Sequence, residues 1–104
     1  FVERRDGKMS LRRGFQLHPG EQVLVVEDVI TTGKSTRETI GVARDFGAEV
    51  IGVASVINRG GADVNFGIRF EFLAEVSWPT HQPTECPQCT SGVPIMKPGS
   101  RPVL

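Results

Sequence analysis

Val23-Leu24-Val25-Val26-Glu27-Asp28-Val29-Ile30-Thr31-Thr32-Gly33-Lys34-Ser35-Thr36 is the stretch that decides the fold of this chain. The strand Gln22 to Glu27 carries an unbroken Val/Leu run, as expected where a parallel sheet covers a strand on both faces. Two adjacent carboxylates, Glu27 and Asp28, stand where that strand is expected to end. A Thr-Thr-Gly-Lys-Ser-Thr loop follows and opens a helix. Like charges side by side at the mouth of a buried strand repel, and a cationic or hydroxyl-rich ligand relieves that cost. The loop offers amides and hydroxyls to an anion. Acids for vicinal hydroxyls beside a cradle for one phosphomonoester read as a site for a phosphorylated ribose.

Working outward, Ser35 to Phe46 reads as the helix, with Ser35 and Glu38 spaced as a capping box and Ile40, Ala43 and Phe46 as its apolar stripe. Gly47 suits its C-terminal cap. Glu49 to Ile57 is a second buried strand, ending in Asn58-Arg59-Gly60-Gly61. Strand–helix–strand in this order predicts a right-handed parallel crossover, with both loops at carboxyl ends of strands, where open α/β sheets bind ligands. Arg69 to Val76 alternates enough for a third strand. The loop shares only Gly-Lys-Ser-Thr with a Walker A motif. The first glycine of G-x-x-x-x-G-K-[ST] would fall at Asp28, which disfavours a P-loop nucleotidase.

Upstream, Arg4, Arg5, Lys8, Arg12 and Arg13 place five of the chain's 12 cations within Glu3 to Arg13. Met9, Leu11, Phe15 and Leu17 share one parity, which suggests a half-buried strand leaving a mobile basic loop; a solvated surface hairpin is the plainer reading. His18-Pro19-Gly20-Glu21 is a turn. Phe1-Val2 reads as the end of an apolar strand already under way, which predicts a sheet incomplete at its N-terminal side, with an unpaired edge and little turnover by this segment alone. From Trp78 onward come six of the seven prolines and no periodicity, so an irregular surface extension is expected over 80–104.

Composition narrows the classes. Twelve Lys and Arg balance 12 Asp and Glu in 104 residues, so no net field points to nucleic acid or a membrane surface. The longest near-apolar run, Val50 to Ile57, is far short of the roughly 20 residues of a membrane span. No signal peptide is visible and two cysteines make no disulfide framework, so a cytoplasmic protein is expected. Cys86-Pro87-Gln88-Cys89 is half a zinc ribbon with His81 as an extra ligand nearby; two reduced thiols in a turn is the simpler expectation.

The central motif Val-Val-Glu-Asp-Val-Ile-Thr-Thr-Gly-Lys-Ser resembles the phosphoribosyl-pyrophosphate signature of the type I phosphoribosyltransferases. The flanks resemble the orotate branch of that family: Glu3-Arg4-Arg5-Asp6-Gly7-Lys8-Met9-Ser10-Leu11-Arg12-Arg13-Gly14-Phe15, Asn58-Arg59-Gly60-Gly61, Cys86-Pro87-Gln88-Cys89 and Lys97-Pro98-Gly99-Ser100-Arg101. The resemblance implies an α/β, Rossmann-like type I phosphoribosyltransferase fold, N-terminally incomplete. Its catalytic part would be 1–79 and its irregular extension 80–104. It implies transfer of 5-phosphoribose to orotate in pyrimidine biosynthesis, with Glu27, Asp28 and Lys8 as catalytic groups. Phosphoribosyl pyrophosphate would be held by Glu27, Asp28, Val29, Ile30, Thr31, Thr32, Gly33, Lys34 and Ser35, with Arg4 and Arg5 on its pyrophosphate. Thr31 and Arg59 would contact orotate. An arginine fits that role because orotate offers a carboxylate and ring carbonyls to a fork of donors.

By the same resemblance, magnesium would be the cofactor, held by substrate and water with no protein ligand assigned, and a homodimer would share the basic loop between subunits. The Lys-Asp-His cluster of many members has no histidine here, which leaves the alignment within 3–13 open. Two alternatives stand: another base, purine or uracil, as acceptor, and a regulator that binds phosphoribosyl pyrophosphate without turnover.

Overall fold

The computed structural model describes residues 1–96; Lys97-Pro98-Gly99-Ser100-Arg101 and residues 102–104, the end of the expected extension, lie outside them. Strands β1 (Val2–Arg5) and β2 (Lys8–Leu11) form an antiparallel hairpin. Strand β3 (Gln22–Ile30), helix α1 (Lys34–Asp45), strand β4 (Glu49–Asn58) and strand β5 (Phe70–Glu75) follow, and a one-turn helix α2 (Pro87–Thr90) lies in the tail. The main sheet is parallel throughout, in the order β3-β4-β5.

The crossover expected from the sequence is present, because long apolar strands flank a helix with one apolar stripe. Val25, Val50 and Val53 from the strands meet Ile40 and Ala43 of α1, with Ile30 and Ala48 completing the buried core. Val53, on the central strand, is 1% exposed.

The other sheet face carries no helix among the described residues. The pairing Leu24↔Gly52, Val26↔Ala54 and Ala54↔Glu71, with alternation along each strand, puts Leu24, Val26, Val56 and Leu73 on it. Val26 is 68% and Leu73 85% exposed. A parallel sheet is ordinarily covered on both faces, so the all-apolar run of β3 is matched to cover on a side that stands open here. The 104-residue chain is expected to bind a solvatochromic apolar dye and to self-associate with concentration; Val26→Lys with Leu73→Lys should suppress both in light scattering and dye titration.

Four boundaries or pairings differ from the sequence reading. Strand β3 runs on to Ile30, because Ile30 is buried and its carbonyl accepts from the Arg59 amide at 2.7 Å. The Ser35–Glu38 capping box does not form: Gly33 occupies the N-cap in the left-handed region, with no side-chain cap, and Glu38 pairs with Arg4. Phe1-Val2 leads into the hairpin and not into a strand of the main sheet. Within 80–96 the described tail carries the one-turn helix α2, where the sequence predicts no periodic element.

The basic segment is an ordered hairpin. Asp6 and Gly7, both at positive φ (49° and 80°), make the two-residue turn that matches strand twist. The hairpin lies against α1, held by the Arg4–Glu38 ion pair and by Met9 beside Gly41 and Val42.

Candidate active site

Two loops meet at the carboxyl ends of β3 and β4. The Arg59 amide donates to the Ile30 carbonyl at 2.7 Å, and Gly60 lies directly against the Thr31 carbonyl and the Val64 side chain. A Cβ at position 60 would overlap both atoms, so only glycine permits this approach. Gly60→Ala should push the loops apart and lower stability by about 1–3 kcal/mol, read as a drop in thermal midpoint.

The loop after β3 is built as an anion cradle. Gly33 turns the chain at φ 78°, and a Cβ there would stand 2.9 Å from Arg37 Nη1 and from the Phe66 ring. Arg37 braces the turn by donating to the carbonyls of Thr32 (2.8 Å) and Asn65 (2.9 Å) while stacking over Phe66. The Lys34 amide is taken by Thr32 Oγ1 at 3.3 Å. The amides of Ser35 and Thr36, in the first turn of α1, carry no hydrogen bond within the described residues. First-turn amides with no internal partner, at the positive end of a 12-residue helix, favour an anion.

A cleft of about 480 Å³ opens beside this cradle, lined by Thr31, Thr32, Arg59, Gly60, Asp63, Val64, Trp78 and Thr80. The Arg59 guanidinium stacks over Trp78 at 4.8 Å, and its Nε is buried without a hydrogen-bond partner among the described residues. Buried donors are nearly always satisfied, so a donor with no partner among the described residues marks this side of the cleft for an acceptor.

The acids sit within β3 and not beyond its end. Alternation turns Glu27 towards α1, where its carboxylate accepts from the Thr36 hydroxyl at 3.5 Å. Asp28 points to the opposite side and is exposed, with Oδ1 accepting from the Val29 amide at 2.6 Å. Burial, then the neighbouring Asp28 charge, push the Glu27 carboxyl above its usual value, and the Thr36 bond opposes this only partly.

A folded-state value above 4.5 means the fold takes up a proton more readily than the unfolded chain. That contribution is complete below about pH 4.5 and is lost as pH rises through the folded value. Glu27→Gln should therefore stabilise the unliganded protein at neutral pH, with the gain in thermal midpoint vanishing in acid.

Thr31, Thr32 and Arg59 thus share one cleft, and Gly33, Lys34 and Ser35 form the cradle beside it. Val29 is exposed. Ile30 is committed to the core and reaches the site only through its carbonyl. The hairpin cations are not brought to the cleft: Arg4 is held at Glu38, Arg5 is exposed beside Asp6, and Lys8 lies in a groove with Glu38 and Asp45 on α1. Sequence reasoning missed Arg37 and Trp78 as site-forming residues. Arg37 stands one turn after Gly33, a spacing that brings its fork back to the loop. Trp78 offered no local signal, because its partner lies 19 positions upstream.

No group of three or more His, Cys, Asp or Glu able to hold a metal is present among the described residues. No helix of the described residues is long and apolar enough to cross a membrane. No protein-family profile matches the chain.

Curated relatives do match. An orotate phosphoribosyltransferase of Desulforamulus reducens is 53% identical over 103 residues, 99% of this chain and 54% of that protein. Those of Thermotoga maritima and Carboxydothermus hydrogenoformans are each 50% identical over 101 residues, 97% of this chain and 54% and 53% of theirs. Among solved structures, adenine phosphoribosyltransferase from Rhodothermus marinus superposes with a TM-score of 0.52 at 28% identity, over 58% of this chain and 36% of that one. The chain spans about half the length of the curated relatives it matches, and with this crossover, this loop and this likeness over nearly all its residues it belongs to the orotate phosphoribosyltransferase family.

Proposed function

We propose that the protein transfers 5-phosphoribose from phosphoribosyl pyrophosphate to N1 of orotate, giving orotidine 5′-monophosphate and pyrophosphate, in the cytoplasmic synthesis of pyrimidine nucleotides. The observation that carries this is the unpartnered, buried Arg59 Nε in a cleft it shares with Thr31 and Thr32. It is a cationic fork beside a phosphate cradle, suited to an anionic base next to a sugar phosphate.

In this reading the Ser35 and Thr36 amides and the Thr32 and Ser35 hydroxyls take the 5-phosphate. Glu27 and Asp28 are assigned to the hydroxyls of a ribose lying across the strand, since the two acids leave β3 on opposite sides. Thr31 and Arg59 orient orotate, with Trp78 keeping the guanidinium plane in place. The anomeric carbon gains positive charge as pyrophosphate departs, so the chain contributes orientation and charge stabilisation and no covalent nucleophile.

Magnesium, when bound, neutralises the leaving pyrophosphate. A hard cation that keeps its waters and binds through phosphate oxygens would need no protein cage. Arg4, Arg5 and Lys8 are assigned to pyrophosphate in a homodimer, where one subunit's hairpin serves its neighbour's site. The Arg4–Glu38 pair would then open on assembly.

Titration of phosphoribosyl pyrophosphate with magnesium into the isotopically labelled chain tests the cradle. Amide signals of Thr32 to Thr36 and of Glu27 and Asp28 should move while those of Cys86 to Thr90 stay in place. Shifts scattered away from both loops, or none at millimolar ligand, would sink the assignment. Magnesium-dependent pyrophosphate release with orotate, and not with adenine or uracil, is the corresponding turnover measurement in the assembled enzyme.

A further inference from the structure

We propose that Cys86 and Cys89 form a redox-active vicinal dithiol, in which Cys86 exchanges with low-molecular-weight disulfides and Cys89 resolves the adduct into an internal disulfide. Both thiols are free and half-buried. Pro87 starts α2, and the Cys86 carbonyl accepts from the Thr90 amide at 2.9 Å and the Thr90 hydroxyl at 3.1 Å. One tight turn therefore holds the two cysteines three positions apart, at the cap and within the single turn of α2.

The pair is asymmetric in placement. Cys86 lines a cleft of about 490 Å³ with Pro79, His81, Pro87 and Gln88, and Cys89 is not part of that lining. It is asymmetric in charge as well. The Cys89 amide, then its thiol, then the Gln88 amide lower the Cys86 pKa, while donation to Cys86 raises that of Cys89. The sulfur that faces the cleft is thus the better thiolate, as an attacking cysteine requires.

The chemistry balances in two exchanges. The Cys86 thiolate attacks one sulfur of a disulfide RSSR, breaking its S–S bond and releasing RS⁻, which takes up a proton. Cys89 then gives up its proton and attacks Cys86 Sγ, expelling the second RSH and closing the internal bond. Two protein thiols are oxidised by two electrons, and one RSSR is reduced to two RSH.

Glutathione disulfide is the probe. The unsubstituted chain should lose the mass of two hydrogens, resist alkylation at both cysteines and retain no glutathione. Cys89→Ser should trap a glutathione adduct at Cys86, forming at least about tenfold faster than the Cys89 adduct of Cys86→Ser. Comparable rates in the two variants, a lasting glutathione adduct on the unsubstituted chain, or zinc retained one per chain after purification would overturn the proposal. The measurement on the unsubstituted chain stands even if a variant misfolds.

Discussion

Replacing both acids, Glu27→Gln with Asp28→Asn, is expected to weaken phosphoribosyl pyrophosphate binding by on the order of 1,000-fold, measured by calorimetric titration with magnesium present. Each carboxylate is assigned charge-assisted hydrogen bonds to ribose hydroxyls, worth about 1.5–3 kcal/mol apiece. The same change removes the repulsion between the two charges and the burial cost that raises Glu27. The double variant should therefore be at least as stable as the parent at neutral pH while binding far less well. Lost binding with lost stability would point to a structural role for the acids. Retained binding would remove them from the site.

Arg59→Leu is the second large effect. Orotate binding should fall about 100-fold, the loss of a bidentate charge-assisted contact, while ribose 5-phosphate binding at the cradle changes little. The cradle rests on Gly33, Arg37 and the first turn of α1, none of which depends on the Arg59 side chain. The backbone lock between the loops is also spared, because it runs through the Arg59 amide to the Ile30 carbonyl. Equal losses for both ligands would show that Arg59 organises the loops and does not read the base.

The crossover and its core were legible because they rest on local signals: unalternated runs at β3 and β4, one apolar stripe between them, and glycines at the turns. The capping box was illegible in its failure. Ser35 and Glu38 have the right spacing, but the left-handed Gly33 starts the helix before Ser35, and Arg4, 34 positions upstream, claims Glu38. A surface hairpin was the plainer reading of the basic segment, yet nothing local said that it would dock on α1. Candidate site residues such as Thr31 and Arg59 were legible as types suited to the chemistry. Their shared cleft was not, since it depends on Gly60 meeting Thr31 across two strand ends. Trp78 belongs to the same class, a wall contributed by chain that only the tertiary fold brings back.

That wall supplies a built-in optical gauge. The chain has a single tryptophan, and its indole lies under the one guanidinium assigned to read the base. An anion paired with the stacked Arg59 guanidinium changes the polarity and quenching felt by that indole. Emission from the unlabelled protein therefore reports base occupancy directly, with no second fluorophore to subtract.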